Sequence, residues 1–358
     1  FTGPNPVQDL KAEYVGETSV NLTWTVTDNS TSSYTYRIEV VNGSSHRNLT
    51  FSAPEAEITE LVPGTLYTFT VFAVASDGQT EGEGVPIELY TRPNPVQDLQ
   101  AEYVGETSVN LTWTVTDTST SSYTYRIEVV NGSSHRNLTF SAPEAVITEL
   151  VPGKLYTFRV IAGVNDSQTE GEGVSIELYT RPSPVQDLKA EYVGETSVNL
   201  TWTVTDTNSS SYTYRIEVVN GSSHRNLTFS DPEAEITELL PGTLYTFTVF
   251  VGVNNSQTEG EGVSIELYTE PNPVQDLQAE YVGETSVNLT WTVTDANASS
   301  YMYRIEVVSG SSHRNLTFSD PGAEITELVP GTLYTFTVFA RVTDSQTEWE
   351  GVPIELYT

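Results

Sequence analysis

Ser19-Val20-Asn21-Leu22-Thr23-Trp24-Thr25-Val26 alternates apolar and polar residues one for one. Successive side chains of a strand point to opposite faces, so Val20, Leu22, Trp24 and Val26 share one face and Asn21, Thr23 and Thr25 the other. Tyr34, Tyr36, Ile38 and Val40 repeat the pattern, as do Tyr67, Phe69, Val71 and Ala73. Residues 7–14, 46–51, 56–61 and 85–90 read as four further strands, seven in all. Gly16-Glu17, Asp28-Asn29-Ser30, Asn42-Gly43, Pro63-Gly64 and Asp77-Gly78 supply the turns between them. Seven short alternating strands with no helical period predict an antiparallel two-sheet sandwich.

That unit is written four times without insertion or deletion. AEYVGETSVNLTWTVTD (12–28) recurs unchanged in every copy, and the opening Asn5-Pro6-Val7-Gln8-Asp9-Leu10 returns from Asn94, Ser183 and Asn272, at intervals of 89 residues. A strict period of this length marks an array of modules, each able to bury its own core. The expected domains are 5–93, 94–182, 183–271 and 272–358. Residues 1–4 align with Tyr90-Thr91-Arg92-Pro93 and read as the tail of a preceding repeat, so the chain is expected to come from a longer array. The predicted fold class is all-β: four tandem seven-stranded antiparallel β-sandwiches. Short Pro-containing linkers favour extended joints. Modules in line are then expected to form an extended rod on the order of 140 Å.

Charge narrows the function classes. With 15 Lys and Arg against 48 Asp and Glu, the net charge is −33. Binding to nucleic acid or to an anionic membrane surface is electrostatically opposed. Zero cysteines exclude a disulfide framework, a thiol nucleophile and a thiolate metal site. No apolar run reaches the length of about 18 residues that a membrane-spanning helix needs, so direct membrane insertion by this segment is not expected.

Trp24 in the second strand, with Leu61-Val62-Pro63-Gly64-Thr65-Leu66-Tyr67, resembles the fibronectin type III domain, an immunoglobulin-like sandwich. The resemblance implies core roles for Trp24, Trp113, Trp202 and Trp291. It also implies a tyrosine corner at Tyr67, Tyr156, Tyr245 and Tyr334, each hydroxyl returning to nearby backbone. More narrowly, the Pro-Asn-Pro-Val-Gln-Asp-Leu start, Asn-Leu-Thr-Trp and ELVPGTLYTFTV resemble ectodomain repeats of the R3 subgroup of receptor protein tyrosine phosphatases. That implies a glycosylated array outside a single membrane helix and one cytoplasmic phosphatase domain. The phosphatase signature His-Cys-x5-Arg is absent from this cysteine-free segment, which is expected to be non-catalytic and to need no cofactor.

Asn-x-Ser/Thr is the densest motif. Acceptors stand at Asn21, Asn29, Asn42, Asn48, Asn110, Asn131, Asn137, Asn165, Asn199, Asn208, Asn220, Asn226, Asn254, Asn288, Asn297 and Asn315. An Asn-, Ser- and Thr-rich chain produces some by chance, and one sequon copied with its repeat is one event. Strand parity nevertheless puts Asn21 opposite Trp24 and Asn48 opposite Leu49, on solvent faces, and Asn165, Asn254 and Asn297 arise where loops have changed. These features point to a glycosylated secretory-pathway protein, whose glycans would also cover open sheet edges.

Other motifs carry less. His46, His135, His224 and His313 each lie in a separate module without a second ligand at metal spacing and read as solvated turn residues. No twelve-residue calcium loop occurs. Glu81 and Glu83 sit in a Gly-rich stretch with no partner to perturb them, so glycosidase chemistry is not expected. Gly-x-Ser-x-Gly, HExxH, phosphate loops and Arg-Gly-Asp are absent. The copies differ most near Asn29–Ser32 and Ala75–Gly78, and Gly82, Gly171 and Gly260 give way to Trp349, a candidate contact aromatic.

The leading reading is an extracellular or cell-surface, N-glycosylated spacer and adhesion or recognition ectodomain of a receptor, with an extracellular protein or glycan as ligand. A secreted array that self-associates into a glycan-coated filament is the alternative. A spacer from a secreted carbohydrate-active enzyme is disfavoured by the sequons.

Overall fold

A computed structural model describes residues 3–358 apart from 28–33, 44, 119–122, 165–167, 208–210, 222, 255, 344, 346–347 and 349. Among these the chain is all β, with a three-residue 3-10 turn at Ala298–Ser300 and no α-helix. Two compact units, Phe1–Thr180 and Arg181–Thr358, each hold two repeats.

The first repeat shows the plan. Its strands are β1 (Gln8–Tyr14), β2 (Val20–Thr25), β3 (Thr35–Asn42), β4 (Ser45–Phe51), β5 (Glu55–Ile58), β6 (Leu66–Val74) and β7 (Val85–Tyr90). They form a three-stranded sheet ordered β1-β2-β5 and a four-stranded sheet ordered β4-β3-β6-β7. All pairings are antiparallel, and the same pair of sheets recurs in every repeat.

Alternation builds the core. Val20, Leu22, Ile38, Ile58, Phe69 and Val71 are fully buried, while the intervening polar residues are not. Trp24 lies between the sheets with its ring edge-on to Tyr36 at 5.1 Å, a favoured geometry for an aromatic pair. The equivalent pairs Trp113–Tyr125, Trp202–Tyr214 and Trp291–Tyr303 have the same spacing. Tyr67 Oη accepts the Val62 N–H at 3.0 Å, and Tyr156, Tyr245 and Tyr334 do the same for Val151, Leu240 and Val329.

The backbone departs from simple alternation at two places. The expected strand 56–61 ends at Ile58. Glu60 adopts a left-handed φ of 57° that no strand can hold, and the turn swings Leu61 into the core, where its N–H meets Thr18 O. In β1 the pairing shifts register between Gln8 and Lys11, because Asp9 has φ 51° and its carboxylate accepts from Thr25 Oγ1 at 2.9 Å. Asp98, Asp187 and Asp276 repeat this bulge.

Candidate functional site

Within each two-repeat unit a specific clasp joins the repeats. Asp117 Oδ2 accepts the Tyr123 hydroxyl at 2.7 Å and the Asn94 N–H at 2.9 Å, so one buried carboxylate ties the start of the second repeat to its third strand. This places the Tyr123 ring against the Pro63-Gly64 turn of the first repeat. A Cβ built on Gly64 would stand 1.7 Å from Tyr123 Oη. Burial and the facing Asp117 carboxylate push the Tyr123 hydroxyl pKa well above its usual range, so it remains a donor. In the second unit Asp295, Tyr301, Asn272 and Gly242 build the same clasp. Its only trace in the sequence is an Asp followed six residues later by a Tyr, a spacing that strand alternation does not single out.

A second set of contacts holds the linkers. The linker proline runs so close to the next module that a Cβ on Gly82, Gly171 or Gly260 would meet the carbonyl oxygen of Pro4, Pro93 or Pro182 at 2.4–2.5 Å. Beside the first joint is a cleft of about 560 Å³ lined by Tyr14, Arg92, Arg126, Arg159 and Glu170, among others. Tyr14 Oη hydrogen-bonds Thr169 Oγ1 at 3.2 Å, and the Arg92 guanidinium lies 4.7 Å from the Tyr14 ring. Trp349, the candidate contact aromatic, lies outside the described residues.

The joint in the second unit differs by charge. Glu270 stands where the other linkers carry Arg92 and Arg181. It is 6% exposed, and its Oε2 is buried without a hydrogen-bond partner among the described residues. Burial, then the neighbouring Glu195, raises its pKa above the ordinary 4.5. Below 4.5 the group is protonated whether folded or unfolded and imposes no penalty. As pH rises through the raised folded value, the carboxylate must ionise in a buried joint and stability falls. Glu270→Gln is therefore expected to raise the melting temperature of the repeats that meet at this joint at pH 7 by about 2–4 °C. The gain should vanish below pH 4.5. An equal gain at both pH values would contradict this account.

The sequon asparagines fall into distinct settings. Asn48, Asn137, Asn226 and Asn315 are exposed on the edge strand of the four-stranded sheet. Asn21, Asn110, Asn199 and Asn288 are half-buried on the central strand of the smaller sheet, on the face opposite Trp24 and its counterparts. Asn21 is flanked by Glu13 and Glu57. Asn42, Asn131 and Asn220 end the third strand of their repeats at a hairpin, where Gly43 takes φ 53°. Asn254 and Asn297 are exposed, and Asn297 Nδ2 donates to Thr243 Oγ1 of the preceding repeat at 2.9 Å. Asn29, Asn165 and Asn208 lie outside the described residues.

The four histidines are exposed, as expected, but lie on the edge strand and not in a turn; three pair locally with glutamate, His46 with Glu39 at 2.5 Å, His224 with Glu217 at 3.9 Å, and His313 with Glu306. Glu81 is not a free carboxylate, contrary to the expectation that it has no partner. It holds Arg37 through two hydrogen bonds of 2.7 and 2.8 Å, which lower its pKa. Among the described residues no cluster of three or more His, Asp or Glu could hold a metal, and no helix is long and apolar enough to cross a membrane.

Comparison with known proteins agrees with this architecture. The fibronectin type III domain family matches residues 5–89, 94–177, 183–269 and 272–354. Receptor-type tyrosine-protein phosphatase eta of Gallus gallus is 63% identical over 355 residues, covering 99% of this chain and 25% of that protein. Receptor-type tyrosine-protein phosphatase H of Homo sapiens is 34% identical over 371 residues, covering 99% of this chain and 32% of that protein. Tenascin of Gallus gallus is 25% identical over 348 residues, covering 92% of this chain and 19% of that protein. The chain thus spans about a quarter to a third of the receptor-type phosphatases it resembles.

Proposed function

The chain belongs to the fibronectin type III family, and from that premise we propose that it is an N-glycosylated extracellular spacer and recognition region of a cell-surface receptor of the receptor-type tyrosine phosphatase kind. The observation that carries this reading is 63% identity to receptor-type tyrosine-protein phosphatase eta, sustained over 99% of the chain. The segment consists of a non-catalytic domain type, so dephosphorylation belongs to a part of the protein outside these residues.

Three physical features support the reading. Net charge of −33 repels anionic membrane and nucleic acid, which suits a surface that must stand in solvent and select its partners. The Asp117–Tyr123 and Asp295–Tyr301 clasps fix neighbouring modules against each other, as a spacer requires. The edge-strand sequon asparagines Asn48, Asn137, Asn226 and Asn315 are exposed, so a glycan there would be accommodated without displacing the core. A ligand would be an extracellular protein or glycan read by the exposed faces and the cleft at the first joint.

The open reading frame on either side of the segment tests the proposal. A downstream apolar span of about 20 residues followed by a His-Cys-x5-Arg phosphatase domain is expected. A frame that continues only as further repeats and closes without such a span would contradict it and favour a secreted array.

A further inference from the structure

We propose that Arg37, Arg126, Arg215 and Arg304 grip the stem of an N-glycan on the facing asparagines Asn48, Asn137, Asn226 and Asn315. The inference rests on the glycosylation reading above. Arg37 lies on β3 and Asn48 on the adjacent edge strand β4. Glu81 fixes Nε and Nη2 of Arg37, and the Phe72 ring lies 3.9 Å below the guanidinium. A planar guanidinium held in this way has one direction left for Nη1. Nη1 donates to Asn48 Oδ1 at 2.7 Å. Among the described residues Asn48 Nδ2 makes no hydrogen bond, and the residue is exposed.

The atom used is the informative feature. N-glycosylation joins Nδ2 to the sugar C1 as a lipid-linked diphosphate departs and one Nδ2 proton is lost. Oδ1 remains an amide carbonyl with its lone pairs. The arginine therefore holds the only polar atom of the carboxamide that the modification leaves unchanged, and it turns the attachment nitrogen outward. An asparagine gripped through Nδ2, as Asn297 is by Thr243, lacks this arrangement.

The copies grade the grip. Arg304 repeats the first module: Glu348 holds it, Phe339 lies 3.9 Å beneath it, and Nη1 reaches Asn315 Oδ1 at 2.8 Å. Arg215 shares Nη1 between Glu217 at 2.7 Å and Asn226 Oδ1 at 3.0 Å. In the second repeat Ile161 replaces the phenylalanine, and Arg159 stands where the others have Thr70, Thr248 and Thr337. Glu128 is drawn between the two arginines, 2.5 Å from Arg126 and 3.5 Å from Arg159. Arg126 Nη1 is left 3.5 Å from Asn137 Oδ1. The grip is tight at Asn48 and Asn315, intermediate at Asn226 and loosest at Asn137.

The test uses the whole chain secreted from mammalian cells. Glycopeptide mass spectrometry first measures occupancy, and native-state release by peptide-N-glycosidase is then followed site by site. Release at Asn137 is expected to be several-fold faster than at Asn48 and Asn315. Arg37→Lys keeps a cation for Glu81 but loses the fork, and should speed release at Asn48 alone. The reverse change, Arg159→Thr with Ile161→Phe, should slow release at Asn137, and it keeps the test open if the lysine variant folds poorly. Bare asparagines throughout would overturn the glycosylation reading and the grip with it. Filled sites with equal release rates, unmoved by either variant, would overturn the grip alone.

Discussion

Trp113→Ala is expected to unfold the second repeat at lower denaturant than the other three while leaving their cores intact. Trp113 is 4% exposed, packs edge-on to Tyr125 and belongs to a cluster made almost wholly of second-repeat residues. The first and fourth repeats have their own clusters around Trp24 and Trp291. Truncating a buried tryptophan costs about 3–5 kcal/mol, through lost burial and the cavity left behind. A single domain has about 5–15 kcal/mol in total. Repeat-resolved hydrogen exchange in increasing urea should show early loss of protection between 94 and 182 only. A uniform loss across the chain would mean that the repeats do not carry independent cores.

Gly171→Val is the second large effect. Its backbone conformation is open to other residues, so space is the constraint: a Cβ would stand 2.4 Å from the carbonyl oxygen of Pro93. That oxygen belongs to the linker backbone and cannot turn aside as a side chain could. Relief requires the linker to leave the module, at an overpacking cost of about 1–3 kcal/mol. Each kcal/mol corresponds to a fall of about 4–8 °C in the melting temperature of a domain this size. Gly105→Ala is the control, since its Cβ would meet only Ser108 Oγ at 3.4 Å. Equal melting of the two variants would contradict the close approach.

Much of the fold was legible because one physical rule wrote it. Two-residue periodicity in 19–26 sorts Val20, Leu22 and Trp24 inward and Asn21 and Thr23 outward, and a one-residue slip would reverse every assignment. Strand ends were less legible. Glu60 and Asp9 hold positive φ without being glycine, so nothing in their identity announced the end of β5 or the bulge in β1. The joints were least legible, because they depend on distances across repeats. The change of Gly82, Gly171 and Gly260 to Trp349 in the fourth copy does not reveal that the other three copies place a proline carbonyl against the glycine. Glu81 looked solitary because its partner Arg37 lies 44 residues away in sequence.

The same distinction governs the candidate sites. Sequons are local, so every one could be read directly. Their settings depend on neighbouring strands: Asn48 faces an arginine from β3, while Asn297 reaches Thr243 of the preceding repeat.

On the proposed function, this segment is the glycosylated outside of a membrane-anchored receptor. That reading is tested most directly by applying an antibody raised against residues 5–358 to intact, unpermeabilised cells that express the full protein. The account predicts surface labelling that brief external protease removes, and a labelled protein that loses mass when its N-glycans are enzymatically released. Labelling that appears only after permeabilisation, with no change in mass on glycan release, would contradict it.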